Sequence, residues 1–228
     1  MSEYIKFLIN NFPKTKIISD SNIELCYKRV CENNLICEIV QKYIYKYVED
    51  NQMISPKYLF LERYRIQLNK ILLYIPIGDQ TIINFGMRSA IENILKFIYT
   101  MCFDQDYEKV SGKKFRTLKE ELLIKYKDED IIKEEIIKLF SYYGKYSNEV
   151  HEKEIIIEDI DSLQKILEEG NINIQNLLDD ILNIFNAYQK IIFYTYEINQ
   201  MTLSSAELLR LRKTLPSKRY IKVLNLMC

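Results

Sequence analysis

The chain is expected to fold as an all-α bundle of seven or eight helices. Three observations predict this. Gly and Pro number only 5 and 4 in 228 residues, and strand-rich folds need many turns built from those two residues. Apolar residues recur at steps of three and four through long stretches, which is the spacing of one helix face. Helix start and stop signals punctuate the same stretches, with Ser, Asp or Pro before them and Gly or Pro after them.

The elements follow in order. Residues 3–11 make a short helix that stops at Phe12-Pro13, because proline disfavours helix at the residue before it. Ser21-Asn22-Ile23-Glu24 fits a capping box. A helix runs from there to about Glu49 on Leu25, Val30, Leu35, Ile36, Ile39, Val40, Ile44 and Val48, with Glu32-Asn33-Asn34 as its weak point. Ser55-Pro56 is the next start signal, a capping Ser before a first-turn Pro. That helix carries Leu59, Leu61, Ile66, Leu68, Ile71 and Leu72 and ends before Pro76.

A turn at Ile77-Gly78-Asp79 leads into the central helix, Asp79 to Met101, whose broad apolar face is Ile83, Met87, Ile91, Ile94, Leu95 and Ile98. Arg88, Glu92 and Lys96 lie four apart beside that face, with Ser89 and Asn93 adjacent. They form either a solvated charge ladder, worth about 0.2–0.5 kcal/mol per pair, or the wall of a polar cleft. Residues 104–114 read as a loop. Helices are expected over Phe115–Lys125 and over Asp128 to about Asn148, the second with Ile131, Ile132, Ile136, Leu139, Phe140 and Tyr143 on its apolar side. Ile155-Ile156-Ile157 is a short strand or extended chain. Helices follow over Asp159 to Glu169, closed by Gly170, and over Asn173 to about Glu197. Ser204-Ser205 caps a short helix from Ala206 to about Lys213, stopped by Pro216. Residues 1–54 read as an N-terminal helical extension, 55–200 as the main domain, and 201–228 as a short helix with a basic tail.

The bulk numbers exclude several functions. Lys plus Arg and Asp plus Glu each total 32, a formal net charge of zero. Any nucleic-acid surface must therefore be a local patch. No G-x-x-x-x-G-K-[ST] phosphate loop is present, which argues against an NTPase. Cys26, Cys31, Cys37, Cys102 and Cys228 form no C-x2-C pair, and one histidine cannot complete a zinc finger. No metal or cofactor is expected. The odd cysteine count without a signal sequence suggests a reducing cytosol, with the thiols packed as small apolar groups. The most apolar tract, Ile181 to Tyr196, is interrupted by Asn183, Asn186, Gln189 and Lys190, so no membrane association is expected.

The chemistry gathers at Tyr142-Tyr143-Gly144-Lys145-Tyr146-Ser147-Asn148-Glu149-Val150-His151, where a charged helix ends at the only histidine. Together with Met87-Arg88-Ser89-Ala90-Ile91-Glu92-Asn93-Ile94-Leu95-Lys96-Phe97-Ile98-Tyr99, this segment resembles the HEPN domains (higher eukaryotes and prokaryotes nucleotide-binding) over roughly residues 55–200. The resemblance implies a HEPN-like helical core and a homodimer. It also implies a metal-independent ribonuclease acting in antiphage defence or as a toxin, with RNA as substrate and a partner or antitoxin protein as a further expectation. The family signature is an Arg, four to six residues, then His. His151 matches the His, while Gly144, Lys145 and Tyr146 occupy the positions allowed for the Arg. Lys145, the nearest substitute, offers a point charge where Arg offers a planar fork.

RNA cleavage without a metal needs a group to take the 2′-OH proton and a cation beside the phosphate. His151 suits the first task and Lys145 the second. Asn148 is placed to orient substrate, Glu92 to fix the imidazole tautomer, and Arg88 stands beside them on the neighbouring helix. The plainer reading of His151 is a helix-end cap, since a cation there meets the negative end of the helix dipole. Two basic patches are candidates for the RNA backbone. One is Lys113, Lys114 and Arg116; the other is Arg210, Arg212, Lys213, Lys218 and Arg219. Charge runs of this kind also occur as ordinary solvated faces. A non-catalytic module binding RNA, a nucleotide or a partner protein is the alternative function.

Overall fold

The computed structural model describes residues 2–47, 58–150 and 172–227. The described residues contain ten α-helices and no strand. They are α1 (Glu3–Asn11), α2 (Ile23–Tyr47), α3 (Leu59–Tyr74), α4 (Gln80–Phe103), α5 (Tyr107–Ser111), α6 (Phe115–Lys125), α7 (Asp130–Val150), α8 (Ile174–Thr195), α9 (Ser205–Thr214) and α10 (Ser217–Leu226). The all-α expectation holds, but seven or eight helices undercounts. Two of the ten lie where no helix is expected: α5 in the stretch read as a loop, and α10 in the basic tail. Their patterns are short, and α10 carries its apolar residues between Lys and Arg. The expected helix at 159–169, the Ile155 triplet and the Ser55-Pro56 start lie outside the described residues.

Capping explains most boundaries. Asp79 accepts from the N–H groups of Thr81 (2.8 Å) and Ile82 (3.3 Å) and starts α4. Asn173 accepts from Asn176 (2.9 Å) and starts α8. Ser204 and Glu207 form a reciprocal capping box at α9. The expected Ser21–Glu24 box is not formed. Asp20 closes that turn instead, accepting from the Asn22 N–H at 2.7 Å, while Glu24 pairs with Lys28 at 2.8 Å. The turn between α3 and α4 ends at Gly78, whose φ of +82° suits glycine.

Five long helices form a closed ring of contacts: α3 on α4, α4 on α7, α7 on α8, α8 on α2, and α2 back on α3. The helix α2 passes unbroken through Glu32-Asn33-Asn34. One partner within the helix and two from α3 replace the missing local preference there. Glu32 takes the Arg29 guanidinium, the Tyr64 hydroxyl donates to Asn33 (3.1 Å), and Asn34 donates to Asn69 (2.8 Å). Leu25, Leu59, Ile66 and Ile131, expected on buried faces, are exposed. Each sits at the edge of its helix stripe, and the apolar run is wider than the contact it makes.

Candidate functional site

The central helix α4 delivers Arg88 to α7. The Arg88 Nη2 donates to the Tyr143 hydroxyl at 3.4 Å, and the guanidinium lies 5.6 Å from the Tyr143 ring centroid. Phe115 of α6 stacks on the same ring with centroids 3.5 Å apart. Tyr143 is thus held between two helices. Lys96 donates to Glu92 (2.7 Å) and to the Ser111 carbonyl (2.8 Å). The Asn93 amide returns to the Ser89 carbonyl at 2.7 Å. The α4 stripe is half-buried throughout, so it is no solvated ladder. Each cation reaches a different neighbour.

On α7 the polar residues spread around the helix. A step of two residues turns about 200°, so Lys145 points away from the side that Tyr143 shares with Arg88. Its ammonium lies 2.6 Å from the Asp180 carboxylate on α8. The Tyr146 hydroxyl donates to the same Asp180 oxygen, also at 2.6 Å. The Ser147 hydroxyl is buried without a hydrogen-bond partner among the described residues, and Asn148 is exposed. His151 lies outside the described residues. The structure therefore joins Arg88 to α7 but brings neither Lys145 to Glu92 nor Glu92 to Arg88, since Glu92 is turned to Lys96.

The first basic patch divides. Lys113 is drawn inward, donating to Glu121 at 2.8 Å and to the Tyr99 hydroxyl, which itself donates to Glu121. Partial burial lowers the Lys113 ammonium, but Glu121 and Tyr99 outweigh it and leave it above the usual lysine value. Lys114 is exposed, and Arg116 pairs with Glu120 on the surface at 2.8 Å. In the second patch Arg210 pairs with Glu38 at 2.9 Å, while Arg212, Lys213 and Lys218 are exposed. Arg219 departs from its expected place on a solvated face. Only 7% exposed, it points inward from α10 to Asn186 of α8 (2.9 Å) and towards Glu32 of α2. Its position on α10 is set by Val223, one turn on and also buried.

Asp180, Tyr143 and Tyr146 are the residues that sequence reasoning missed. Asp180 carried a signal. It occupies an apolar-face position of α8, in register with Leu177, Ile181 and Ile184, where an acid needs a partner. The two tyrosines had none, because their rings satisfy the packing pattern on their own.

The cysteines among the described residues are free thiols. Burial pushes Cys26 and Cys37 up to about 12, and Cys102 up to about 11. None of these three is a ready nucleophile. No group of three or more His, Cys, Asp or Glu among the described residues could hold a metal ion, and no helix among them is long and apolar enough to cross a membrane. Two chemical facts characterise the C-terminal half of α7: a cation held by an aromatic ring on one flank, and a cation held by a buried carboxylate on the other. Comparison with family models, with curated proteins and with solved structures gives no match.

Proposed function

We propose that the chain is a HEPN-like, metal-independent endoribonuclease, acting as an effector of prokaryotic antiphage defence or as a toxin. The observation that carries the reading is the run of α7. It continues as helix to Val150, with Lys145 and Asn148 in its last two turns and Arg88 drawn onto it from α4. His151 follows in the next position of the chain.

In this reading His151 takes the proton of an RNA 2′-OH, and the oxygen attacks the adjacent phosphorus. The 5′-oxygen leaves, taking a proton that His151 returns by way of solvent water, giving a 2′,3′-cyclic phosphate, a 5′-hydroxyl and a neutral imidazole. Imidazole titrates near pH 6.5, which suits it to this transfer. Lys145 supplies positive charge beside the phosphate, where charge accumulates in the transition state, while Arg88, on the opposite flank of α7, holds Tyr143 and with it the helix. Asn148, exposed at the helix end, orients the strand. A second copy of the chain facing the first would double the set, which is the homodimer expected from the resemblance.

The test is cleavage of single-stranded and structured RNA in excess EDTA. His151→Ala is expected to lose about 10²–10⁴-fold in rate while keeping its helical circular dichroism. Cleavage at the wild-type rate in that variant overturns the reading. The pairing of Lys145 with Asp180 favours a second reading, a non-catalytic module for RNA, a nucleotide or a partner protein. Under that reading the wild type binds RNA but does not cut it.

A further inference from the structure

A groove of about 580 Å³ opens at the opposite end of α7 from Val150, between the turn that joins α6 to α7 and the C-terminal end of α8. Its floor is apolar, made by the buried side chains of Tyr126, Phe193 and Ile198. Its rim carries Tyr194, which is 55% exposed. Two carboxylates, Glu129 and Glu197, line the groove with one ammonium, Lys125, and none of the three is ion-paired among the described residues. Glu197 takes a φ of +51° just past the end of α8. Such a position ordinarily goes to Gly or Asn, so the acid stands there against local preference. The negative charge of Glu129 is the main reason that the Tyr194 hydroxyl lies above the usual tyrosine value. In the turn that follows, Met201 is 97% exposed. Exposed apolar surface rimmed by polar groups is what a docking site presents.

The same chain carries the complement of this surface. Helix α9 is fixed to the bundle by Leu211, which is fully buried, and by Arg210, which pairs with Glu38 of α2 at 2.9 Å. Leu209, Arg212 and Lys213 are spaced three and four residues apart, so they share another face of the helix. Leu209 is 52% exposed, and Arg212 and Lys213 are exposed as well. Neither cation is ion-paired among the described residues. No Asp or Glu follows Leu208 to offset them. The two surfaces match in kind. The helix face is one large apolar side chain with two cations, and the groove is an apolar floor with two carboxylates.

We propose that the groove receives α9 of a second copy of this chain. Leu209 of one copy lies over Phe193 and Ile198 of the other, beside Tyr194, while Arg212 and Lys213 meet the carboxylates of Glu197 and Glu129. Opposite charges placed in this way steer the encounter and fix its orientation. Each copy has one groove and one such helix, so a two-fold axis satisfies both at once and closes the pair. From Asp130 to Val150 the helix α7 rises about 30 Å. The contact is therefore separate from one that brings two copies of His151 together, and it does not rest on the nuclease reading.

Sedimentation equilibrium of the full chain tests the contact. At about 100 μM, where a contact of micromolar strength is saturated, the wild type is expected to sediment as a dimer or larger. The association should be weaker in about 1 M than in about 0.1 M sodium chloride, because salt screens exposed charges. Glu197→Lys, and separately Arg212→Glu combined with Lys213→Glu, should each weaken it at least about tenfold. All three positions are exposed, so both variants are expected to keep their helical circular dichroism. An equimolar mixture of the two should regain the wild-type mass. The reversed groove of one then meets the reversed helix of the other, and the two unaltered surfaces meet in turn. His151→Ala is expected to associate as the wild type does, which separates this contact from the nuclease reading. A wild type that stays monomeric overturns the proposal, even if its groove takes a basic peptide from elsewhere. Reversed variants that keep the wild-type mass overturn it too, as does a mixture of helical variants that stays as light as its components.

Discussion

Asp180 serves two donors of unequal exposure. Tyr146 is buried, whereas the Lys145 side chain is 42% exposed. Removing a buried acceptor costs about 1–3 kcal/mol, while an exposed ion-pair partner contributes about 0–1 kcal/mol. Asp180→Ala is therefore expected to lower the urea midpoint clearly more than Lys145→Ala, and equal losses would show that the lysine dominates. Glu135 makes the parallel case for pH. Burial pushes its carboxyl up, but the ammonium groups of Lys190 and Lys138 outweigh that and hold it below the ordinary value. A depressed carboxyl stabilises the fold above its unfolded-state pKa, and that stability is lost as pH falls through the folded value. Glu135→Gln should thus be less stable than the wild type at pH 7, with the gap narrowing towards pH 3. A gap that stays constant across that range would remove the ion pairs as its cause. The pairings between helices were not legible in the sequence. Asp180 and Glu135 announce themselves as acids on apolar faces, and Lys138, three residues on in α7, is a local partner of Glu135, but Lys145 and Lys190 come from other helices, and local spacing carries no information about which.

Helices were far more legible than contacts, for a physical reason. A stripe at three-and-four spacing and a capping Asp, Asn or Ser are local signals, and α1, α4, α6 and α8 begin and end within two residues of where those signals put them. Glu32-Asn33-Asn34 misleads because, apart from Arg29 on the same helix, its partners Tyr64, Asn69 and Arg219 are distant in the chain. The same contrast decides what two helical glycines do. At Gly144 in α7 an added Cβ meets nothing within 4 Å, so Gly144→Ala should stabilise by about 0.5–1 kcal/mol, the ordinary helix-propensity difference. At Gly86 in α4 a Cβ would lie 3.2 Å from Ile71 and 3.3 Å from Tyr74 of α3, tighter than ordinary contact. There the propensity gain is spent on moving the tightest helix pair in the ring, and Gly86→Ala should be neutral or destabilising. Thermal melts of the two variants compare them directly. A gain at Gly86 matching that at Gly144 would mean that α3 and α4 slide apart at no cost.

One apolar cluster takes buried residues from every described helix, from Tyr4 and Leu8 of α1 to Val223 of α10. The two C-terminal helices are part of it: Leu211 and Val223 are fully buried, and Met227 is 2% exposed. A core shared in this way has no internal seam at which the end of the chain could come away unnoticed. A chain ending at Leu215 loses the burial of Val223 and Met227, each worth about 1.5–3 kcal/mol. It also strips Glu32 of its second guanidinium. Against a typical total of about 5–15 kcal/mol, that loss should be felt by the whole molecule. The chain has 18 tyrosines and no tryptophan, so tyrosine fluorescence reports on packing while circular dichroism reports on helix. Urea unfolding followed by both probes should give coincident transitions in the full chain, and the shortened chain should shift both midpoints down together. If the shortened chain unfolds at the wild-type midpoint, α10 is an appendage, and the contacts of Val223, Met227 and Arg219 with the core contribute nothing to its stability.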